Sequence, residues 1–334
     1  MPIYIPVNSE KKKVKSIFAN VNGEKKKISG VFGNVNGTKK SLFTEEAEVK
    51  GFDRFVCVGA SGKSYYSLDG INWNTMPGLD TSVQYTDVCY GKGRFVAVGH
   101  GGNVAYSTDG ETWVNKNLSP YITDLEGIAF GHGRFIAVGG RGDQSFYSLD
   151  GENWNVFTIP ENTYSYYSIR FLNNCFIVVG YSGVMAYSAD GETWGQLNNT
   201  DILSSKTQYD VAYGNGKYVS IGQGKQAYST DGETWTAKST YSGGTYYGIT
   251  YGNDRFVCVG GYNRVLYSAD GINWNTMPGL DTSTNYTYKG ITYGDDRFVC
   301  VGASGKSYYS LDGINWNTMP GLDTSVQYEA VCYG

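Results

Sequence analysis

One eight-residue phrase, Tyr-Ser-x-Asp-Gly-x-x-Trp, recurs seven times along the 334 residues and constrains the fold more than any other feature. Its aspartates are Asp69, Asp109, Asp150, Asp190, Asp231, Asp270 and Asp312, spaced 39 to 42 residues apart. Its tryptophans, Trp73, Trp113, Trp154, Trp194, Trp235, Trp274 and Trp316, are all 7 Trp of the protein. Such a period with strand-like flanks fits a repeat whose unit is one small sheet, unable to bury both faces until neighbours stack against it. The 46 Gly and 30 Tyr, against only 7 Pro, agree with many short strands and tight turns rather than helices.

Each unit carries four strand signals. The first is Val/Ile-x-Tyr/Phe-Gly, as at Val88 to Gly91 and Ile249 to Gly252, with one degenerate copy at Ile169 to Leu172. The second, Arg-Phe-Val-x-Val-Gly, as at Arg94 to Gly99, is a continuous apolar run suited to a strand covered on both faces. The third leads into the Asp-Gly turn and the fourth starts at the Trp. The count is out of phase: seven second strands begin at Arg54, whereas the seventh first strand is Tyr328 to Gly334. The expected fold is therefore all-β, a seven-bladed β-propeller over residues 47–334, built of four-stranded blades and closed by the C-terminal strand. Residues 51–85 and 294–328 differ only at Phe52 and Asp295, and Ile272 to Ser283 repeats part of them, as if blades had been copied or exchanged.

The N-terminus is a different object. Residues 1–43 carry 9 Lys against Glu10 and Glu24, a net +7 within a chain of −4, which leaves −11 for the remainder. A 14-residue repeat runs through them, with Asn22-Gly23, Asn36-Gly37 and the weaker Asn8-Ser9 between apolar and lysine-rich runs. Asn-Gly favours two-residue hairpin turns, so residues 1–46 are expected to form a small β-hairpin or meander arm. Its lysines serve solubility and edge protection, or dock onto an acidic partner.

Several classes are excluded or disfavoured. The acidic balance argues against a nucleic-acid partner, and no apolar run reaches the length of a membrane span, so no membrane insertion is expected. No secretory leader is recognisable, which implies synthesis in the cytoplasm. The six cysteines fall on repeat slots: Cys57, Cys258 and Cys300 where other copies have Ala97, Ala137, Val178 and Ser220, and Cys89 and Cys332 where others have Ala129, Ala212, Thr250 and Thr292. They read as small, buried, reduced thiols, with Cys175 more exposed. No metal and no cofactor is implied.

Ser-x-Asp-Gly-x-x-Trp resembles the Asp-box of bacterial neuraminidase repeats, whose usual form has one more residue between Asp and Gly. The resemblance covers all seven units and implies a propeller; sialidases, glycan-binding propellers and assembly factors share it, so it does not fix function. The chemistry of the motif is that of a turn. The carboxylate accepts backbone N–H groups, the Gly takes a conformation closed to other residues, the Ser hydroxyl holds the strand end and the Trp packs between blades. Seven equivalent copies suit scaffolding better than a catalytic centre.

In a four-stranded blade the one-to-two and three-to-four turns share a face, and here these are the near-invariant ones. Sequence variation falls on the two-to-three and inter-blade loops of the opposite face, which are rich in Tyr, Asn, Ser, Thr and Asp, a mixture suited to sugars. Candidate ligand-contacting residues are Tyr121, Tyr164, Tyr166, Tyr181, Tyr241, Tyr262, Asn263, Tyr286 and His100. His132 belongs to a one-to-two turn and reads as surface. Arg141-Gly142-Asp143 spells an integrin-type tripeptide that reads as chance.

The Val-Asn-Gly-lysine repeats resemble the attachment segments of phage tail and fibre proteins. Together with the variable loop face, this implies a virion protein of the receptor-binding or tail-fibre type. It would bind host-surface glycan through the propeller and other tail or virion proteins through the arm, with homo-oligomerisation open. A structural or assembly platform is the alternative. A sialidase-like glycosidase, expected to show a Phe/Tyr-Arg-Ile-Pro motif and an arginine cluster, fits less well: the motif is absent and Arg54, Arg94, Arg134, Arg255 and Arg297 share one repeat slot. The expectation is a binding protein rather than an enzyme.

Overall fold

In the computed structural model the chain divides into two units, Met1–Lys50 and Gly51–Gly334. The structure describes residues 18–21, 24–27, 32–35 and 38–41 of the first, and 53–334 of the second except 119, 121–123, 141–143, 160–164, 198–205, 240–243 and 278–285. In the first unit Phe18–Val21 pairs antiparallel with Glu24–Lys27, and Phe32–Val35 with Thr38–Ser41. Val21 faces Glu24 and Val35 faces Thr38, so Asn-Gly separates the paired strands both times. Among the described residues these are two separate two-stranded sheets, not one continuous meander. Asn8-Ser9 lies outside the described residues.

The second unit consists of seven four-stranded antiparallel sheets. Blade 1 is Phe55–Gly59, Ser64–Ser67 and Asn74–Thr75, with Tyr328–Tyr333 as its inner strand. The inner strands of blades 2 to 7 are Tyr85–Gly91, Leu125–Gly131, Tyr166–Leu172, Gln208–Gly214, Tyr246–Gly252 and Tyr288–Gly294. Each packs against the next, and Tyr328–Tyr333 packs against both the last and the first, so the seven enclose a central channel. The expected closure is present: Tyr328 pairs with Gly59 and Tyr333 with Phe55, and Arg54 and Gly334 exchange backbone hydrogen bonds of 3.1 Å.

The apolar second strands are buried along their length, as at Phe55–Gly59, and the cores lie between blades. Trp113 packs with Met76 and Leu79 of the preceding blade, its Nε1 3.4 Å from the Met76 sulfur, and Trp73 meets Met319 in the same way across the closure. The motif is thus a wedge between blades, as its turn chemistry implies.

All seven turns have one geometry. Oδ1 of each Asp accepts the hydroxyl of the Ser two residues before it and the backbone N–H groups two and three residues after it, at 2.7–3.0 Å. The following Gly has φ between +65° (Gly70) and +82° (Gly232), a region that other residues enter only with strain. All six cysteines are free, with Cys57, Cys258 and Cys300 buried.

Candidate functional site at the channel mouth

Every inner strand carries the same irregularity. In all seven pairings the register slips between the first and third residues of the strand, a β-bulge whose extra residue is the second. A bulge re-aims a side chain and sharpens local twist. The first residue of each strand, for example Tyr85 or Gln208, is buried between blades. The bulged residue next to it turns into the channel. The seven bulged residues, Thr86, Glu126, Tyr167, Tyr209, Tyr247, Lys289 and Glu329, are each half-buried and together rim a cavity of about 300 Å³ at one mouth of the channel. Gln84, His100 and Gln327 from the adjoining loops join them, which places this mouth on the variable face.

In blade order the rim has two halves. Tyr167, Tyr209 and Tyr247 form an aromatic arc, with ring centroids 5.5 and 4.9 Å apart. Lys289 follows, its ammonium 4.6 Å from the centroid of the Tyr247 ring and 3.6 Å from Glu329 Oε2. The amides of Gln84 and Gln327 donate to Glu329 Oε1 at 3.3 and 2.5 Å. Thr86 separates Glu329 from Glu126 and donates to the Leu125 carbonyl at 2.6 Å. Burial, reinforced by Asp124 and Glu329 and opposed by Lys289, pushes the Glu126 carboxyl up to about 7. His100 Nε2 lies 3.8 Å from its Oε1.

The floor of the cavity is an ion triad. Arg170 projects from the inner strand of blade 4, with Nη1 2.7 Å from Asp87 Oδ2 and Nε 3.1 Å from Asp210 Oδ1. Each Asp also fastens the next blade: Asp87 accepts the Ile128 N–H at 3.0 Å and Asp210 the Ile249 N–H at 3.1 Å. Burial alone would weaken the Arg170 charge, but Asp210 and Asp87 outweigh it and hold the guanidinium firmly cationic.

Beyond the triad the channel opens towards the constant face through a second cavity, lined by Tyr90, Phe130, Phe171, Tyr213, Tyr251 and Tyr333. These rings explain the Tyr-Gly pairs of the first strands. A Cβ on Gly91 would stand 2.0 Å from the Phe130 ring of the next blade, so a glycine there lets the ring lie flat on the backbone.

Solved structures similar in fold are numerous. YCF48 bound to D1 peptide is 16% identical, with a TM-score of 0.59 over 78% of this chain and 86% of that one. Selenomethionine-substituted virginiamycin B lyase from Staphylococcus aureus is 11% identical, with a TM-score of 0.61 over 76% and 92%. The computationally designed Ika8 protein is 12% identical, with a TM-score of 0.59 over 84% and 88%. This chain is a seven-bladed β-propeller. At such identities the likeness is one of fold alone. No protein-family model matches the sequence, and no curated protein matches it.

The propeller places the sequence-derived candidates unevenly. His100 lines the mouth. Tyr181 and Tyr262 are exposed on two-to-three loops of the same face, at 47% and 67%, and Tyr286 is half-buried with the Lys306 ammonium 4.9 Å from its ring centroid. Two candidates need correction. Tyr166 is fully buried, because it fills the first-residue slot of an inner strand, shared with Tyr85, Tyr246, Tyr288 and Tyr328. Asn263 is 9% exposed and acts as a staple: its N–H donates to the Tyr286 carbonyl and its Oδ1 accepts the Tyr286 N–H, both at 2.9 Å. Tyr121, Tyr164, Tyr241 and the Arg141-Gly142-Asp143 tripeptide lie outside the described residues. His132 is exposed on the opposite face, its Nε2 3.1 Å from the Asn174 carbonyl oxygen.

Neither the bulged residues nor Arg170 stand among the sequence-derived candidates. The signal for both lies in the alignment of the repeats. One slot, just before the invariant apolar core of the first strand, reads Thr, Glu, Tyr, Tyr, Tyr, Lys, Glu, and the Cys/Ala/Thr slot holds a single charge, Arg170.

Proposed function

We propose that this protein is a binding protein of the bacteriophage receptor-binding or tail-fibre type. Its propeller engages host-surface glycan at the channel mouth, and its lysine-rich N-terminal arm attaches it to the particle. The observation that carries the reading is the rim itself: seven copies of one bulge present seven side chains, three adjacent tyrosines facing carboxylates, amides and a lysine. Tyrosine faces stack on the C–H faces of sugar rings, while Glu329, Gln84, Gln327 and Thr86 offer hydroxyl-binding groups within one cavity. The seven Asp-Gly turns serve this site as Asp-box-like scaffolding. Binding here is without turnover, so release of sugar from a polysaccharide would contradict it.

Virion assembly is the second reading. A propeller of this fold, YCF48, is described as bound to a peptide, and a half-aromatic, half-acidic mouth also suits a basic peptide from a tail protein.

Adsorption of the full chain to host cells, alongside a Tyr209→Ala variant, tests the proposal. Loss of one stacking face is expected to weaken binding by about tenfold with the melting temperature unchanged. Equal binding by the variant would remove the mouth from the proposal. A full chain that binds no cells but co-assembles with tail proteins would replace receptor binding with the platform reading.

A further inference from the structure

The mouth has an electrostatic asymmetry that a neutral sugar would leave unanswered. Asp87, Glu126, Asp210 and Glu329 share the cavity with Arg170 and Lys289, four acidic side chains against two permanent cations. The two rim glutamates are provided for differently. Glu329 accepts two amide hydrogen bonds and has the Lys289 ammonium at 3.6 Å. Glu126 is about three-quarters buried, yet among the described residues it accepts no hydrogen bond, and the nearest basic side chain is that of His100 at 3.8 Å. A buried carboxylate without a partner is costly, and a cation supplied from outside relieves that cost.

The rim also contains its own example of how such a cation is held. Lys289 seats its ammonium over the face of Tyr247 and against Glu329 at once. On the other side of the ring Glu126 has Tyr167 as its neighbour in blade order, and Tyr167 begins the aromatic arc, so a carboxylate and an aromatic arc adjoin there as well. Aromatic faces and a carboxylate converging on one cavity are the means by which proteins hold ammonium groups, quaternary ones included.

We propose that the mouth selects a glycan bearing a positively charged amino group, an amino sugar, seating its ammonium between Glu126 and the tyrosine arc while the sugar ring stacks on Tyr209. This inference rests on the glycan-binding reading above and narrows it.

The test is titration calorimetry of the full chain at pH 8, where Glu126 is ionised, against three probes of matched length. These are an N,N,N-trimethylated glucosamine oligosaccharide, its N-acetylated counterpart and a neutral glucose oligosaccharide; tetramethylammonium is the sugar-free control. The trimethylated probe is expected to bind at least about tenfold more tightly than the N-acetylated one. Glu126→Gln is expected to abolish that preference while leaving binding of the neutral probes intact. If all three oligosaccharides bind equally, amino-sugar selection falls and glycan binding stands. If only tetramethylammonium and the trimethylated probe bind, equally well, charge selection stands and glycan binding falls. If no probe binds, both fall. A preference unchanged in Glu126→Gln would overturn the assignment of the ammonium to Glu126.

Discussion

Arg170 holds the innermost wall of the propeller together from inside the channel. Six other blades place Cys, Ala or Thr at its slot, where a small side chain suffices. Blade 4 places a guanidinium there, and blades 2 and 5 answer with Asp87 and Asp210, whose side chains are only 7% and 6% exposed. Removing one member of a buried ion network leaves the others uncompensated, at a cost of about 3–5 kcal/mol. Arg170→Leu is therefore expected to lower the unfolding free energy by that amount in a denaturant titration, and adding Asp87→Asn and Asp210→Asn to restore most of it. A single variant as stable as the parent would show that the triad is solvated rather than structural. The same slot shows what a repeat hides. In any one unit Arg170 looks like a strand residue in a degenerate copy, and it stands out only when seven strands are closed into a ring that makes Asp87 and Asp210 its neighbours.

At the scale of the element, two devices divide the work of each blade, and they differ in legibility. The Asp-Gly turn can be read in full from sequence because its bonds are local: an Asp, the Ser two before it and N–H groups two and three after it need no tertiary information. The bulge cannot, because it is a mismatch between two strands and is visible only in their pairing. For that reason the sequence alone puts Tyr166 among the ligand-contacting residues, whereas it lies in the core and Tyr167, one residue on, faces the mouth.

The turns also set the acid stability. At Asp69 and Asp312 slight burial acts to raise the carboxyl, but backbone N–H and side-chain hydrogen bonds outweigh it and lower the group to about 2. Backbone N–H groups lead the same shift to about 2 at Asp190 and Asp231. Asp109, Asp150 and Asp270 are lowered in the same sense. Carboxyls lowered by folding contribute stability that is complete above their ordinary value near 4 and is lost as pH falls towards 2. Melting temperature is expected to fall steeply between about pH 4 and pH 2, as the turns lose their acceptors together. Glu126, raised to about 7, works the other way and weakens the fold as pH rises towards neutrality. A melting temperature flat from about pH 5 to pH 2 would contradict the turns' role.

The whole molecule separates a copied scaffold from an individual mouth. Residues 51–85 and 294–328 match at all but one position, and the equivalent loops repeat in detail: Gly62 and Gly305 each donate their N–H at 2.8 Å, to the carbonyls of Val83 and Val326. The match stops at Tyr85 and Tyr328, both buried. The next residues are the bulged ones, Thr86 and Glu329, and they differ. The two near-identical blades therefore send different residues into the channel, and closure by Tyr328–Tyr333 brings Glu329 beside Lys289 and Gln84. Blade number and closure are legible because the repeat counts them. The mouth is not, since it is assembled from one residue per blade, spaced as far apart in sequence as the repeats themselves.

On the proposed function, ligand enters at the ring of bulged residues and not at the Asp-Gly turns or the outer loops. A crystal structure of the full chain with a bound host-surface oligosaccharide tests this most directly. Density is expected over Tyr167, Tyr209 and Tyr247, with hydrogen bonds to Glu329, Gln84 or Gln327; density confined to the loops around Tyr181 and Tyr262, or to the constant face, would contradict it.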